Sequence, residues 1–534
     1  MDRKTWLAIS LCFLIYVGWQ KFYLEPRTLP PGAPQNQLAT QSQAPSTSAQ
    51  TQATTATTTG TRAATNTAPA VPKQTFNLNT ATGTAVLGNG GDFLENWQIK
   101  NYHLTQTTNA ASVDLNYVTN EANQVQLAFD DPEFSYLTSV SGTFSPVAGG
   151  VLWTYEDAKV KLTREFKSSD SQPFISTKIT ADFKSKKPAY AFVSLTSKSV
   201  DKDPEAQDRQ FIYWTNNSVE RVHIVEKKVE IKDITTNVKY IAASNRYFLL
   251  SLVNDGDLEA RGLIQPTSLN ASSGRISLRY MLQGNSITIP LRVYFGPKEI
   301  DLLRSVDPSL NHVVDFGFFE IFAYPLLKLL KWLDQFVRNY GVAIILLTIL
   351  LKLVTYPLTY KSMKSMKEMA KLQPQLAKIR EKHKDDKEAL NREMMSVMKT
   401  HGYNPVAGCL PMLIQMPVFF ALYRVLYGSI ELYQAPFALW IQDLSRPDHF
   451  YVTPVLLSAT MFIQQKLTPN TATDPAQQKM MQFMPLIFGA FMLTLPAGLT
   501  LYMLTNALAS IAQQMILNKK LDPARAGNAV AVAR

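Results

Sequence analysis

The chain has 534 residues, of which 46 % are hydrophobic, and its formal net charge is +11. Its two cysteines, Cys12 and Cys409, lie far apart in apolar stretches, so the sequence supports neither a disulfide framework nor a thiolate metal site. The positive charge could indicate nucleic-acid binding, but cytoplasmic loops of membrane proteins also collect Lys and Arg. The position of these residues, described below, favours a membrane protein, and we expect no specific nucleic-acid sequence as a partner.

Residues 1–25 are predicted to form a transmembrane anchor. Their apolar stretch at 6–19 follows two basic residues, and no small-x-small cleavage site occurs before Pro26. A cleaved signal peptide is the alternative, but an uncleaved anchor with a cytoplasmic N-terminus is favoured. Residues 26–72 contain no aromatic residue and are rich in Gln, Thr, Ser, Ala and Pro. This composition predicts a flexible periplasmic linker.

Residues 73–315 are predicted to form a large periplasmic β-sandwich domain. Apolar and polar residues alternate at 175–183 and at 287–295, which is the pattern of half-buried strands. Many such runs, broken by turn residues, are typical of a sandwich. We find no catalytic constellation there, because His103 and His223 are far in sequence from suitable partners. Both histidines are interpreted as structural.

Residues 316–340 are predicted to form an interfacial amphipathic helix. One face is apolar and the opposite face is charged, which suits a helix lying in the membrane surface. An amphipathic helix packed on the β-domain is the alternative. The apolar face consists of Leu326, Leu329, Leu330, Leu333 and Val337, and the charged face of Lys328, Lys331, Asp334 and Arg338.

Five apolar segments follow, and each is long enough, or nearly so, to cross a hydrocarbon core of about 30 Å. The loop 359–404 contains eleven Lys or Arg residues, whereas the loop 429–450 contains only Arg446. The positive-inside rule therefore places the first loop in the cytoplasm. We predict an α-helical membrane protein with a five-helix core at 341–517, six spans with the anchor, and a cytoplasmic tail at 518–534. The five segments are 341–358, 405–428, 451–467, 480–495 and 497–516.

The cytoplasmic loop 359–404 is predicted to be a helical hairpin with helices at 359–382 and 386–400. Asp385 or Asp386 would cap the second helix. Methionine is frequent at its apolar positions, which suits an adaptable surface that receives a substrate. A solvated hairpin whose methionines only fill the seam is the alternative. These residues are Met363, Met366, Met369, Met394, Met395 and Met398.

Lys352 is the most informative residue in the predicted spans. It lies nine residues before Lys361, and therefore about 13 Å deeper along a helix. A lysine near the middle of a membrane costs about 2.5 to 3.5 kcal/mol, so it normally faces water or a partner. None of the five segments contains a carboxylate. We therefore expect Lys352 to face water, together with Thr348, Thr355 and Thr359 on the same helix face.

Polar residues in the other spans fall almost entirely in the predicted cytoplasmic half. They predict a hydrated groove open to the cytoplasm, with hydrogen bonding between helices as the alternative. Arg424 lies near the outer end of its span and is interpreted as structural. The last span contributes Tyr502, Asn506, Ser510 and Gln513, and other spans contribute Gln415, Gln464, Gln465 and Gln482. We assign the groove to Lys352, Thr348, Thr355, Gln415, Gln464, Tyr502 and Asn506.

Four motifs resemble those of the YidC membrane protein insertases of Gram-negative bacteria. They are NPVAGCLPMLIQMP at 404–417, QAPFALWIQDL at 434–444, FMP at 483–485 and LPAGL at 495–499. The resemblance is specific over residues 320–517 and extends to the domain plan. It implies a groove in the inner leaflet that helps hydrophilic segments of nascent membrane proteins across, alone or beside the Sec translocon. It also implies a chaperone role in folding, contact with membrane lipids, and no enzymatic reaction.

Two positions depart from the family pattern. The positively charged groove residue is usually arginine, but here it is Lys352, which keeps the charge and lacks the planar fork. The residue after Tyr502, often a second tyrosine, is Met503. Ribosome binding through the tail is expected to be weak because the tail is short. No catalytic residue, cofactor or metal is expected.

Other functional classes fit the sequence less well. A secondary transporter, the main alternative, would be expected to show internal repeats with matching helix breaks. An intramembrane hydrolase would need a nucleophile with its base, or paired aspartates, and no histidine lies in a span. A scaffold that only packs helices laterally cannot be separated from an insertase by sequence.

Overall fold

The computed structural model describes residues 73–91, 93–106, 110–119, 125–198, 208–224, 230–267, 273–383, 386–400, 405–468 and 475–521. All of them belong to one compact unit, Ala70–Arg534. The predicted anchor (1–25), the linker (26–72) and the tail beyond residue 521 lie outside the described residues. A β-rich part comes first in the chain and a helical part follows.

The β-rich part contains two antiparallel sheets. The smaller sheet has the order β1 (Thr75–Asn79), β2 (Gly83–Gly88), β3 (Leu94–His103), β4 (Ser112–Asp114). The larger sheet has the order β5-β10-β16-β15-β13-β14-β17-β9-β8-β7-β6, and β11 pairs with β12 and β13. Its strands are β5 (Val125–Phe129), β6 (Thr143–Val147), β7 (Gly150–Glu156), β8 (Val160–Lys167), β9 (Phe174–Phe183), β10 (Tyr190–Lys198), β11 (Gln210–Thr215), β12 (Ser218–His223), β13 (Lys232–Ser244), β14 (Phe248–Asn254), β15 (Ala260–Pro266), β16 (Ser273–Met281) and β17 (Ser286–Pro297).

The two runs of alternating residues form adjacent strands, β9 and β17. Ile179 and Ile289 lie opposite each other in the ladder, and both are buried. The period-two pattern therefore predicted these strands correctly, because one face of each strand meets the core.

The larger sheet folds over on itself through β13. The first half of this long strand pairs with β15 and the second half with β14 and β11, with a register shift between the halves. The rings of Phe129 on β5 and Phe183 on β9 then meet edge to face at 5.2 Å. Trp97 of the smaller sheet packs on Phe295 of β17 at 6.1 Å. A sandwich-like core between facing sheets is the result.

The helical part follows the last strand. The helices of the described residues are α1 (Leu115–Thr119) within the β-rich part, then α2 (Ile300–Val306), α3 (Glu320–Val337), α4 (Tyr340–Lys382), α5 (Lys387–Thr400), α6 (Pro405–Gly428), α7 (Val452–Leu467), α8 (Pro475–Met492) and α9 (Ala497–Leu521). Among the described residues, Tyr340–Met369 is long and apolar enough to cross a membrane, and Gln482–Met492 is a shorter apolar stretch.

The first hairpin helix continues the apolar segment 341–358 without a break. The helix α4 has 43 residues, so one rod of about 65 Å contains both the apolar segment and the first hairpin helix. The second hairpin helix, α5, begins after Asp386, whose Oδ1 accepts the backbone N–H groups of Glu388 and Ala389 at 3.0 and 2.9 Å. The sequence did not decide which of two aspartates, Asp385 or Asp386, caps α5. The structure assigns the cap to Asp386.

The helices α4 and α9 lie side by side at the centre of the helical part. The helix α4 packs against α3, α6 and α9, while α9 also packs against α6 and α7, and α7 packs against α8. Ile344, Leu422 and Leu499 are among the fully buried side chains of this core. Polar residues that face one another between α4 and α9 are therefore enclosed on several sides by apolar ones.

The helix α3 is apolar on two sides. Leu326 and Leu330, from the predicted membrane-facing stripe, are buried in the core of the helical part. The exposed apolar side chains of this helix are different ones, including Ile321, Trp332 and Phe336. The leucine face therefore packs inside the protein, and other residues form the face that is open to the surroundings.

The loop after α6 joins the helical part to the β-rich part. The Tyr433 ring packs on Tyr247 and Phe248, with ring centroids 5.0 and 5.4 Å apart. Its hydroxyl donates to the carbonyl oxygen of His103 at 2.8 Å. Tyr433 is 7 % exposed, so its ring forms part of the β-domain core.

Candidate functional site

The candidate site lies where α4 and α9 are tied together by polar groups. The ammonium of Lys352 donates to the hydroxyl of Ser510 at 2.7 Å, and this hydroxyl donates to the carbonyl oxygen of Asn506 at 2.7 Å. In return, the side-chain amide of Gln513 on α9 donates to the carbonyl oxygen of Lys352 at 3.0 Å. Lys352, Asn506, Ser510 and Gln513 are called the Lys352 cluster below.

The ammonium of Lys352 is hydrogen-bonded to a neutral group, which does not cancel its positive charge. Among the described residues, no carboxylate forms an ion pair with it, and its side-chain contact is a neutral hydroxyl. The next two residues on α4, Leu353 and Val354, are 64 % and 69 % exposed. A half-buried cation thus lies beside an open apolar surface. Such a cation can attract an anionic group that arrives along this surface.

The sequence interpretation of Lys352 was incomplete on one point. The absence of carboxylates from the apolar segments suggested water as the only solvating group. In the structure, Ser510 supplies a hydroxyl from a helix that is distant in sequence. Ser510 and Gln513 were noticed as part of a polar stripe but were not assigned to the groove. Their spacing of four and seven residues from Asn506 was the signal that could have assigned them.

The two threonines assigned to the groove use their hydroxyls within α4. Thr348 donates to the carbonyl oxygen of Ile344 at 2.7 Å, and Thr355 donates to that of Leu351 at 2.9 Å. Thr348 is 1 % exposed, whereas Thr355 is half-buried one turn from Lys352. Such bonds satisfy a hydroxyl inside a helix. Thr348 is therefore closed off in this conformation, and only Thr355 borders the cluster.

The other groove residues of the prediction lie on three different helices: Gln415 on α6, Tyr502 on α9 and Gln464 on α7. The amide of Gln415 on α6 approaches the hydroxyl of Tyr502 on α9 at 3.5 Å, the outer limit for a hydrogen bond. Tyr502 is 2 % exposed. Gln464 lies on α7, and its carbonyl oxygen accepts from the hydroxyl of Thr468 at 2.8 Å. These residues lie on α6, α7 and α9, and among the described residues no hydrogen bond joins them to Lys352.

The methionines of the hairpin are all at least partly buried. Met363 is 8 % exposed, and the other five are half-buried. Flexible thioether side chains can repack when a partner arrives, so this position suits both the seam-filling and the substrate-receiving interpretation.

Two family models together cover most of the chain. The model described as "60Kd inner membrane protein" matches residues 332–524, and the one described as "YidC periplasmic domain" matches residues 73–329. The curated "Membrane protein insertase YidC" of Maridesulfovibrio salexigens is 33 % identical over 97 % of this chain and 99 % of its own length. The chain belongs to the YidC membrane protein insertase family. It is thus an inner-membrane protein of a non-enzymatic class, with a periplasmic β-rich domain.

Other YidC proteins match over shorter lengths. The YidC of Geobacter metallireducens is 44 % identical over 57 % of this chain, and the match spans 58 % of that relative, slightly more than half its length. A solved structure described as "Active YidC insertase crystal structure with the first transmembrane domain resolved" aligns with a TM-score of 0.36 and 19 % identity. That alignment covers 82 % of this chain and 91 % of the other.

Proposed function

We propose that the chain inserts membrane proteins through a polar groove between α4 and α9, with Lys352 as its positive charge. The observation that carries the proposal is the contact of this ammonium with Ser510 at 2.7 Å, without a carboxylate partner among the described residues. A structural lysine would gain more from an ion pair, because a neutral hydroxyl leaves most of the charge uncompensated.

The proposed topology has six spans with both termini in the cytoplasm. The spans are the N-terminal anchor, the apolar part of α4, and the helices α6, α7, α8 and α9. The basic loop 359–404 then lies in the cytoplasm, and Lys352 lies in the inner half of the membrane. The β-rich domain and the loop containing Tyr433 lie in the periplasm.

The proposed mechanism moves a segment without making or breaking a covalent bond. The hairpin 359–404 receives the nascent protein, and Lys352 attracts acidic residues of its short translocated tail. Thr355, Gln415, Asn506 and neighbouring polar groups solvate the backbone of that tail. A groove that reaches part of the way across shortens the hydrocarbon barrier. The apolar span of the substrate then leaves sideways into lipid, past exposed residues such as Leu353 and Val354.

The partners that we propose follow from this mechanism. Nascent membrane proteins are the substrates, lipids receive the inserted span, and the Sec translocon acts beside the chain on larger clients. The ribosome that synthesises the client is a further partner. A chaperone role in folding uses the same lateral surface.

Site-specific crosslinking to a stalled nascent membrane protein tests the groove. Photoreactive residues at 352, 355, 415 and 506 are expected to crosslink to the translocated tail. A matched probe at the buried position 348 is expected to crosslink less. Crosslinks that are absent from all four positions, or equal at 348, contradict the groove as described.

Charge variants of Lys352 test its role. Lys352→Glu is expected to block insertion of a client with an acidic tail, Lys352→Arg to retain it, and Lys352→Ala to be intermediate. Lys361→Glu, at an exposed position of the same helix, is the matched control and should insert normally. Normal insertion by Lys352→Glu refutes the proposal. Substrate-stimulated ion flux in proteoliposomes without an effect on insertion supports a secondary transporter instead.

A further inference from the structure

A cavity of about 340 Å³ lies outside the site described above, between α2 and the first turns of α3. Arg304 of α2 and Glu320, Ile321 and Tyr324 of α3 line it. The adjoining surface is apolar, since Phe318 is 93 % exposed and Ile321 is 77 % exposed. A mainly apolar cavity that contains two charged side chains therefore adjoins an open apolar surface, on the side of the protein that we propose to be periplasmic.

Two cations meet on one aromatic ring at this cavity. The guanidinium of Arg304 donates to the hydroxyl of Tyr324 at 3.1 Å, and the ammonium of Lys328 lies 5.3 Å from the centre of the Tyr324 ring. Among the described residues, neither cation forms an ion pair with a carboxylate. Glu320, on the same cavity, is likewise without an ion-pair partner there. The cavity thus offers a positive group and a negative group, both available to a ligand.

The exposed apolar residues indicate where such a ligand comes from. Phe322, Trp332 and Phe336 are 47 %, 51 % and 69 % exposed along α3, which ends three residues before the apolar helix α4 begins. Aromatic residues on such a helix suit the boundary between headgroups and acyl chains. A free anion would account for Arg304 and leave Glu320 and this surface unexplained.

We propose that this cavity binds the headgroup of an outer-leaflet phospholipid whose headgroup carries a phosphate and a primary ammonium. The phosphate is held by Arg304 and the Tyr324 hydroxyl, with Lys328 close by. The ammonium donates to the carboxylate of Glu320. The acyl chains lie along Ile321 and Phe322. A wholly anionic headgroup is disfavoured by Glu320, and a quaternary ammonium cannot donate a hydrogen bond to it.

Lipid titration of the delipidated full chain, followed by native mass spectrometry, tests the site. The probes are dioleoyl phosphatidylethanolamine, phosphatidylcholine and phosphatidylglycerol. We expect a single molecule of phosphatidylethanolamine to bind, at least about tenfold more tightly than phosphatidylcholine or phosphatidylglycerol. Arg304→Gln is expected to weaken its binding about tenfold, and Arg304→Lys to retain most of it. Glu320→Gln is expected to bind phosphatidylethanolamine and phosphatidylcholine equally.

Arg261→Gln, at an exposed arginine of β15, is the matched control and should bind like the parent chain. Thermal unfolding of each variant is compared with the parent, and Arg304→Lys separates loss of charge from loss of folding. Equal lipid binding by Arg304→Gln and Arg261→Gln overturns the proposal. It is also overturned if inorganic phosphate displaces the lipid as well as glycerophosphoethanolamine does, or if all three lipids bind alike.

Discussion

The ammonium nitrogen of Lys352 lies 2.7 Å from the hydroxyl oxygen of Ser510, a residue 158 positions later in the chain. This contact holds the lysine head between α4 and α9. A hydroxyl is a neutral partner, so the positive charge remains available to an anionic group. Replacing Ser510 is therefore a direct way to change the electrostatic potential of the proposed groove while leaving Lys352 in place.

Replacing Ser510 with Asp places a carboxylate beside Lys352, and the resulting ion pair cancels most of the positive potential. We expect insertion of a client with an acidic tail to fall about tenfold, which corresponds to ~1.4 kcal/mol. Ser510→Asn has a similar size but no charge and should insert nearly normally. Insertion into proteoliposomes at equal protein amounts measures the difference, and equal activity of the two variants contradicts the electrostatic role.

Lys331 on α3 links the start of α2 to the loop after α6. Its ammonium lies 3.1 Å from a carboxylate oxygen of Glu299 and 3.4 Å from those of Asp301 and Glu431. Burial disfavours the charged lysine, but Glu431 and Glu299 outweigh it and raise the pKa of Lys331. Burial also raises the pKa of Glu431, against the pull of the lysine. The positive charge of Lys331 therefore stabilises the buried carboxylate of Glu431.

Lys331→Met is expected to destabilise the protein by about 2 kcal/mol, between the values for exposed and for buried pairs. The cause is the uncompensated carboxylate of Glu431. The double variant Lys331→Met/Glu431→Gln should recover part of the loss, because the buried charge is then gone. Thermal unfolding of the full chain in detergent measures both. A double variant that is less stable than Lys331→Met rules out this explanation.

Tyr433 is expected to anchor the β-rich domain on the helical part. Tyr433→Ala removes a buried ring that packs on Tyr247 and Phe248, a loss of about 3 to 5 kcal/mol for an aromatic residue. Tyr433→Phe keeps the ring and loses only the hydrogen bond to His103, about 1 kcal/mol. Hydrogen exchange of β3 should therefore rise strongly in the first variant and little in the second. Unchanged exchange in Tyr433→Ala speaks against the anchor.

Gly489→Ala tests the close crossing of α7 and α8. An added Cβ would lie 1.6 Å from the Ser458 hydroxyl oxygen and 2.9 Å from its Cβ, so rotation of the hydroxyl cannot relieve the overlap. We expect a loss of about 1 to 3 kcal/mol from overpacking. Gly428→Ala is the matched control, because an added Cβ there meets nothing within 4 Å. Similar melting temperatures for the two variants are incompatible with a tight crossing.

Asp386 is expected to give the hairpin a pH-dependent cap. The backbone N–H of Ala389 and then that of Glu388 hold the pKa of this carboxyl below its usual value of 3.8. A lowered folded pKa means that the cap stabilises α5 above pH 3.8 and is lost as the pH falls through the folded pKa. The protection of the amides of 388 and 389, measured against their intrinsic exchange rate at each pH, should fall in acid in the parent chain.

Two variants distinguish the capping of the helix by residue 386 from the protonation of its carboxyl group. Asp386→Asn still caps the helix and does not titrate, so its amide protection should be independent of pH in this range. Asp386→Ala should exchange faster at every pH. If Asp386→Asn shows the same acid transition as the parent chain, the carboxyl is not its cause.

Several features followed from the sequence because they depend on neighbouring residues. The alternation at 175–183 and 287–295 predicted strands β9 and β17, since a two-residue period places one face on the core. The capping of α5 by an aspartate was visible in the same way. The motifs at 404–499 identified the family, and its models and relatives confirmed it.

Other features depended on tertiary packing. The helix α3 has apolar residues on two sides, and its sequence period does not show which side is buried. The packing of neighbouring helices decides this. Tyr433 stands in an irregular loop, where no period marks a buried ring. The prediction for Lys352 came from its predicted depth and from the lack of carboxylates in the apolar segments. Its partner Ser510 was decided by the packing of α4 on α9, since a contact between distant segments leaves no local pattern in either.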